Sequence, residues 1–224
     1  MIALYGKAEV ITNEGSSDVS EIFRVVTKPF VKSKCSFNEI LYLKEPLENL
    51  SDSSGWTDVL VPGSSDLNKG YRHIGQLPDD LGYLSDGDII RYNKNTGSIR
   101  VLYRPRTSFN ALLLTERCNH FCLMCSQPPR DIDDGFIVKE LLAAIPMMAR
   151  DSGELCLSGG EPTLTGDGFY DIIDCVKKHL PEKSLHILTN GRHFSENSNA
   201  ERLSKINHPD LMLGIPLYSD HPVT

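Results

Sequence analysis

The pattern of apolar and polar positions changes near the middle of the chain. Before residue 105, short runs of strand type, at residues 1–12, 39–44 and 57–61, alternate with clusters of Gly, Ser, Asp and Pro. The clearest is a hairpin in which residues 88–93 and 98–104 flank a turn ending at Gly97. After residue 105, apolar strand segments alternate with helical periods. The sequence therefore predicts a β-rich N-terminal domain over residues 1–107 and an α/β domain over residues 108–224.

The second half has the rhythm of a parallel βα fold. Four apolar runs predict buried strands, at residues 110–115, 154–157, 184–188 and 210–217. Helical periods predict the helices between them, at residues 136–145, 167–180 and 199–206. Asp133 or Asp134 is the expected cap of the first helix, and Pro146 is expected to kink or end it. Because functional sites of such folds form where strands end, we expect one there.

Composition and charge narrow the function classes. The chain has 224 residues, of which 40% are apolar and 24% charged, which favours a packed globule. The net charge is −7 and neither half is basic, so we expect no nucleic-acid partner. No apolar run is long enough to span a bilayer, and the N-terminus has no signal-peptide pattern. We therefore expect a soluble cytoplasmic protein without a membrane partner.

Cysteine spacing is the first specific chemical feature. The segment RCNHFCLMC contains Cys118, Cys122 and Cys125, whereas Cys35, Cys156 and Cys175 stand singly and are expected to fill apolar space. Disulfide scaffolds spread their cysteines more evenly, so the trio indicates metal or cluster ligation. Structural zinc sites use four ligands, whereas a [4Fe–4S] cluster held by three thiolates leaves one iron open. On spacing alone, zinc and a plain electron-transfer cluster both remain alternatives.

The cysteine segment and a second motif together carry a family resemblance. RCNHFCLMC after a strand, followed one βα unit later by SGGEPT, resembles the radical S-adenosylmethionine (SAM) superfamily. The resemblance implies that Cys118, Cys122 and Cys125 hold a [4Fe–4S] cluster. It also implies that the amino and carboxylate groups of SAM bind the fourth iron. His120, between two of the cysteines, is expected to be a solvent-facing loop residue.

The same resemblance implies a set of SAM-binding residues that follow the strands: Met124, Gly159, Gly160, Glu161, Pro162, Asn190 and Ser219. Met124 stands where the family commonly has an aromatic residue whose backbone touches the adenine. The glycine pair would expose backbone carbonyls to the SAM amino group, and Glu161 would add negative charge. Asn190 is expected to touch SAM or substrate, and Ser219 the ribose. The alternatives are that Asn190 belongs to an ordinary Asn-Gly turn and that Ser219 is a simple loop residue.

A closer resemblance is to the His-Xaa-Ser system radical SAM maturases, the HxsC-like branch. It is carried by LLLTERCNHFCLMCSQPP, LSGGEPTLTGDG, LHILTNGRHF and HPDLMLGIPLYSD. It implies three partners: a small His-Xaa-Ser-repeat protein or peptide as substrate, a second radical SAM maturase, and an electron donor such as flavodoxin or ferredoxin. No acid–base catalytic pair is assigned.

The resemblance also implies the reaction. The reduced cluster would cleave SAM to a 5′-deoxyadenosyl radical, which abstracts a hydrogen atom from the substrate. The alternatives are a non-catalytic iron–sulfur remnant, a glycyl-radical activase and a nucleoside-modifying radical SAM enzyme. The family's barrel usually has six βα units, and this sequence has three and a fourth strand. We therefore expect a truncated barrel, with weak cluster binding and little or no SAM turnover by the isolated chain.

Overall fold

The computed structural model describes residues 3–13, 19–28, 38–44, 56–63, 71–126 and 128–217. The chain forms two compact units, Met1–Pro105 and Arg106–Thr224. Each unit has its own sheet.

The described part of the first unit contains eight strands in one mixed sheet. Their order across the sheet is β1-β8-β7-β3-β4-β5-β6-β2. The bounds are β1 Tyr5–Lys7, β2 Glu9–Asn13, β3 Glu21–Val26, β4 Glu39–Tyr42, β5 Asp58–Pro62, β6 His73–Leu77, β7 Ile89–Tyr92 and β8 Ser98–Tyr103. β3 to β6 run parallel to their neighbours in that group, and the other pairs are antiparallel.

The predicted hairpin is confirmed as β7 and β8, and its turn ends at Gly97 with φ +74°. Two strands, β3 and β6, are not predicted by the sequence pattern. In β6, Gly75 weakens the strand pattern of the sequence, because glycine is unfavourable in the interior of a strand. In the structure the glycine is needed, because a Cβ atom there would overlap the Tyr92 hydroxyl group of β7. That hydroxyl lies 2.8 Å from Nε2 of buried His73.

The second unit alternates strand and helix over its described residues. Its four strands form a wholly parallel sheet in the order β12-β11-β10-β9. The bounds in chain order are β9 Phe109–Leu113, α1 Phe136–Ala144, β10 Glu154–Ser158, α2 Asp167–His179, β11 Ser184–Leu188, α3 Asn197–Ile206 and β12 Leu211–Gly214. The protein is therefore a mixed α/β structure, and the parallel sheet of this unit is confirmed.

The helices agree with the predicted periods. α1 ends at Ala144, and a 3₁₀ turn over Ile145–Met147 contains Pro146 near its start, because proline cannot continue the hydrogen-bond ladder. α2 packs one face inward through Phe169, Ile173 and Val176. No helix among the described residues has the length and apolar character needed to cross a membrane.

One local prediction is wrong. Neither Asp133 nor Asp134 caps α1, because the residue at the N-cap is Gly135 and no side chain bonds there. Asp134 is instead buried, with 1% of its surface exposed, and its carboxylate bonds to the segment after β9. The tertiary contact outcompetes the local cap. The truncated barrel stays a prediction.

Candidate functional site

A cavity of about 540 Å³ lies in the second unit, where its parallel strands end. All three clustered cysteines line it, together with the glycine pair after β10 and Asn190 after β11. Residues from the end of β12 complete the wall. The volume is in the range of cavities that hold small molecules. The fold thus brings four segments, distant in sequence, to one edge of the sheet.

The three cysteines differ in exposure but share the cavity. Cys118 and Cys122 are half-buried and Cys125 is exposed, and none is in a disulfide. A tight turn, in which the Cys125 N–H donates to the Cys122 carbonyl at 3.0 Å, brings these two residues close together. Within the described residues, no three His, Cys, Asp or Glu side chains have the geometry of an assembled metal site. The donor set still fits a cluster, because all three cysteines line one cavity and three thiolates are enough to hold a [4Fe–4S] cluster.

The remaining cysteines have a different environment. Cys156 is buried on β10. Burial, and to a smaller extent the negative charge of Glu154, raises the pKa of its thiol. Burial also raises the pKa of Cys175 on α2. A raised pKa disfavours the thiolate that metals bind. The burial of Cys156 agrees with the space-filling role predicted for it, whereas Cys175 is half-buried and its role stays a prediction. Cys35 lies outside the described residues.

The glycine pair after β10 is required by a close approach of backbones. Gly159 has φ +142°, and a Cβ atom on it would overlap the Thr115 carbonyl oxygen. A Cβ atom on Gly160 would overlap the Arg117 carbonyl oxygen. This packing lets the Gly160 N–H donate to Thr115 at 2.8 Å and the Glu161 N–H donate to Arg117 at 2.9 Å. The glycines therefore hold the end of β10 against residues 115–117. These residues lead into the cysteine loop, which spans residues 118–125.

Glu161 is the most enclosed polar residue of the predicted set. Only 1% of its surface is exposed, and it does not line the cavity. Its Oε1 atom accepts hydrogen bonds from the Thr163 N–H, the Thr163 hydroxyl and the Thr189 hydroxyl at 3.2, 2.7 and 2.7 Å. Its Oε2 atom accepts one from the Asn190 N–H at 2.7 Å. The carboxylate thereby joins the ends of β10 and β11, and its predicted contact with an ammonium group stays a prediction.

Asn190 links the strand end to the cysteine loop. Its Nδ2 atom donates to Oδ1 of Asn119, one residue after Cys118, at 2.8 Å. Its Oδ1 atom accepts the Arg192 N–H at 3.0 Å. Asn190 also lines the cavity, so the structure places it beside the cysteines, where it was expected to meet SAM or substrate.

Of the other predicted residues, the structure places Met124 and Pro162 away from the cavity wall and His120 in it. Met124 is 64% exposed and is not part of the cavity wall. Pro162 is buried and begins the 3₁₀ turn Pro162–Thr165. Ser219 lies outside the described residues. His120, expected to face solvent, is half-buried and lines the cavity.

Two features of the site are missed by the sequence interpretation. Asp134 accepts hydrogen bonds from the Thr115 hydroxyl, the Glu116 N–H and Arg117 Nε at 2.7, 2.7 and 3.0 Å. Burial acts to raise the pKa of Asp134, but these bonds and the Arg117 charge outweigh it, so the pKa lies below its usual value. No local signal distinguishes Asp134 from its acidic neighbours.

His186 is the second missed feature. It lies on β11, in the cavity wall, with its Nδ1 atom 3.4 Å from Oε1 of Glu154. Gly214 on β12 makes room for it, since a Cβ atom there would lie 2.9 Å from Nε2 of the imidazole. The alternation of side chains along a strand could have identified His186 from the sequence. His186 and Leu188 are two residues apart on β11, so their side chains share the face that lines the cavity.

Comparison with known proteins agrees with this site. Residues 112–222 match the model of the Radical SAM superfamily. The chain therefore contains a radical SAM superfamily domain, and that family implies a [4Fe–4S] cluster and SAM. No curated protein and no solved structure matches the chain.

Proposed function

We propose that the chain is a radical SAM enzyme in which Cys118, Cys122 and Cys125 hold a [4Fe–4S] cluster beside a SAM site. One observation carries the proposal: the three thiols, the glycine pair and Asn190 line a single cavity at the ends of adjacent parallel strands. When bound, the cluster and SAM supply reductive cleavage of SAM and abstraction of a hydrogen atom from substrate.

The residues of the chain have binding and shielding roles in this proposal. Leu188, Ile215 and Pro216 form an apolar part of the wall, against which the apolar parts of a bound molecule can pack. Thr189 and Asn190 are held at the end of β11 by Glu161. Gly159 and Gly160 bring the end of β10 against the residues before Cys118. The protein thus supplies a rim of fixed backbone beside the three cysteines.

We further propose that the substrate is a peptide or small protein of a His-Xaa-Ser system. The support is the sequence resemblance of four segments between residues 112 and 220 to the maturases of that system. The same proposal includes a cytoplasmic location, a second radical SAM maturase as a partner, and a flavodoxin or ferredoxin as the electron donor. The charge balance disfavours a nucleic-acid substrate, because phosphate contacts need clustered Lys and Arg.

Peptide binding tests this substrate class. We expect a fluorescently labelled peptide of His-Xaa-Ser repeats to bind the reconstituted, SAM-loaded protein, as measured by fluorescence anisotropy. The control is a peptide of the same composition in scrambled order, which should bind at least about tenfold more weakly, a difference of roughly 1.4 kcal/mol. Equal binding of both peptides, or binding of nucleosides alone, would contradict a maturase and favour the nucleoside-modifying alternative.

A further inference from the structure

The buried carboxylate of Asp134 accepts hydrogen bonds from three consecutive residues of another segment. It lies just before α1, yet its hydrogen-bond partners are Thr115, Glu116 and Arg117. Oδ2 accepts the Thr115 hydroxyl and the Glu116 N–H, and Oδ1 accepts Arg117 Nε. Hydrogen bonds to an ionised group are among the stronger ones in proteins, and burial excludes competing water.

The three bonded residues lead directly into Cys118. Their opposite side is fastened as well, because Gly160 and Glu161 donate backbone hydrogen bonds to the carbonyls of Thr115 and Arg117. The Thr115 hydroxyl in turn accepts the Arg117 N–H at 3.1 Å. The entry to the cysteine loop is therefore held from two sides. Asp134 is the side-chain half of that clamp, and the backbone after β10 is the other half.

We propose that Asp134 is a positioning residue that fixes the direction in which the chain enters the cysteine loop and so holds Cys118 at the cavity. The proposal rests on the proposed function in treating Cys118 as a cluster ligand. It assigns Arg117 a role away from the cluster, because its guanidinium group is aimed at Asp134. Groups that orient metal ligands without touching the metal commonly set metal affinity.

Site-resolved thiol alkylation of the metal-free full chain tests the positioning role. In Asp134→Asn, one carboxylate oxygen becomes an amide NH₂ that faces donors, so the clamp is broken. We expect iodoacetamide to modify Cys118 about tenfold faster, as mass spectrometry resolves each cysteine, because the entry segment opens locally. Cys156, buried on β10, is the internal reporter of global unfolding and should keep its rate. The control is Asp133→Asn, an exposed neighbour whose carboxylate accepts the Gly135 N–H.

A second, milder variant tests the same role in case Asp134→Asn does not fold. Thr115→Val removes one hydroxyl donor to Asp134 at constant shape, and it should change the Cys118 rate in the same direction by a smaller factor. Iron uptake of Asp134→Asn on reconstitution should fall about 10- to 100-fold in affinity. An unchanged Cys118 rate in both variants, or equal acceleration of Cys118 and Cys156, would overturn the positioning role. A wild-type chain that takes up no iron contradicts the proposed function, and the alkylation rates then still decide the role of Asp134.

Discussion

Replacing Cys122 with alanine is expected to abolish cluster binding. Cys122 lines the cavity and is joined to Cys125 by the turn between them. Loss of an outer-shell partner commonly costs roughly 10- to 100-fold in metal affinity, and loss of a direct thiolate ligand should cost more than about 100-fold. After anaerobic reconstitution, iron, sulfide and the visible absorbance per chain should fall to background.

Cys175→Ala is the matched control for this loss. Cys175 lies on α2, away from the cavity wall, and burial raises the pKa of its thiol. Its replacement should leave iron uptake at the wild-type level. Retention of iron by Cys122→Ala, or an equal loss in both variants, would mean that the cysteine trio does not bind the cluster.

Replacing Glu161 is expected to have the largest effect on stability. Glu161→Ala leaves four buried or half-buried donors without their acceptor, from Thr163, Thr189 and Asn190. Since each unsatisfied buried group costs about 1–3 kcal/mol, and since water can reach part of the turn, we expect the free energy of unfolding to fall by about 3 kcal/mol or more. Urea denaturation followed by circular dichroism measures the change.

The isosteric Glu161→Gln variant separates charge and hydrogen bonding from volume. Its amide NH₂ would face donors, so it should lose most of the stability that alanine loses. Glu182→Gln, an exposed carboxylate in the same unit, should stay within about 0.5 kcal/mol of wild type. If Glu161→Gln were as stable as Glu182→Gln, the carboxylate would not be what joins the ends of β10 and β11.

The parts of the fold that follow local pattern are the parts that sequence predicts. α2 shows a clean apolar face, and its period alone locates it. β6 is missed because Gly75 is favoured by a contact with Tyr92 on another strand, a contact that no local pattern contains. The same is true of the parallel pairing of β3 to β6, which depends on segments far apart in the chain.

The candidate site divides in a similar way. The cysteine spacing and the GGEP segment identify ligands and cofactor class, because their chemistry is local. The clamp at Asp134 is not predictable, since its partners are 17 to 19 residues away and its acidic neighbours look alike. The role of Glu161 is also incomplete from sequence, because two of its four donor groups belong to Thr189 and Asn190, which are 28 and 29 residues away along the chain.

We propose above that the three cysteines hold a cluster with an iron that SAM can bind. The most direct measurement is the electron paramagnetic resonance spectrum of the reduced, reconstituted protein with and without SAM, expressed per loaded cluster because weak loading is expected. We expect that SAM changes the spectrum of the loaded fraction, and that adenosine, which lacks the amino and carboxylate groups, does not. A cluster whose spectrum is the same with and without SAM would contradict a SAM site at the cluster and favour a non-catalytic iron–sulfur remnant.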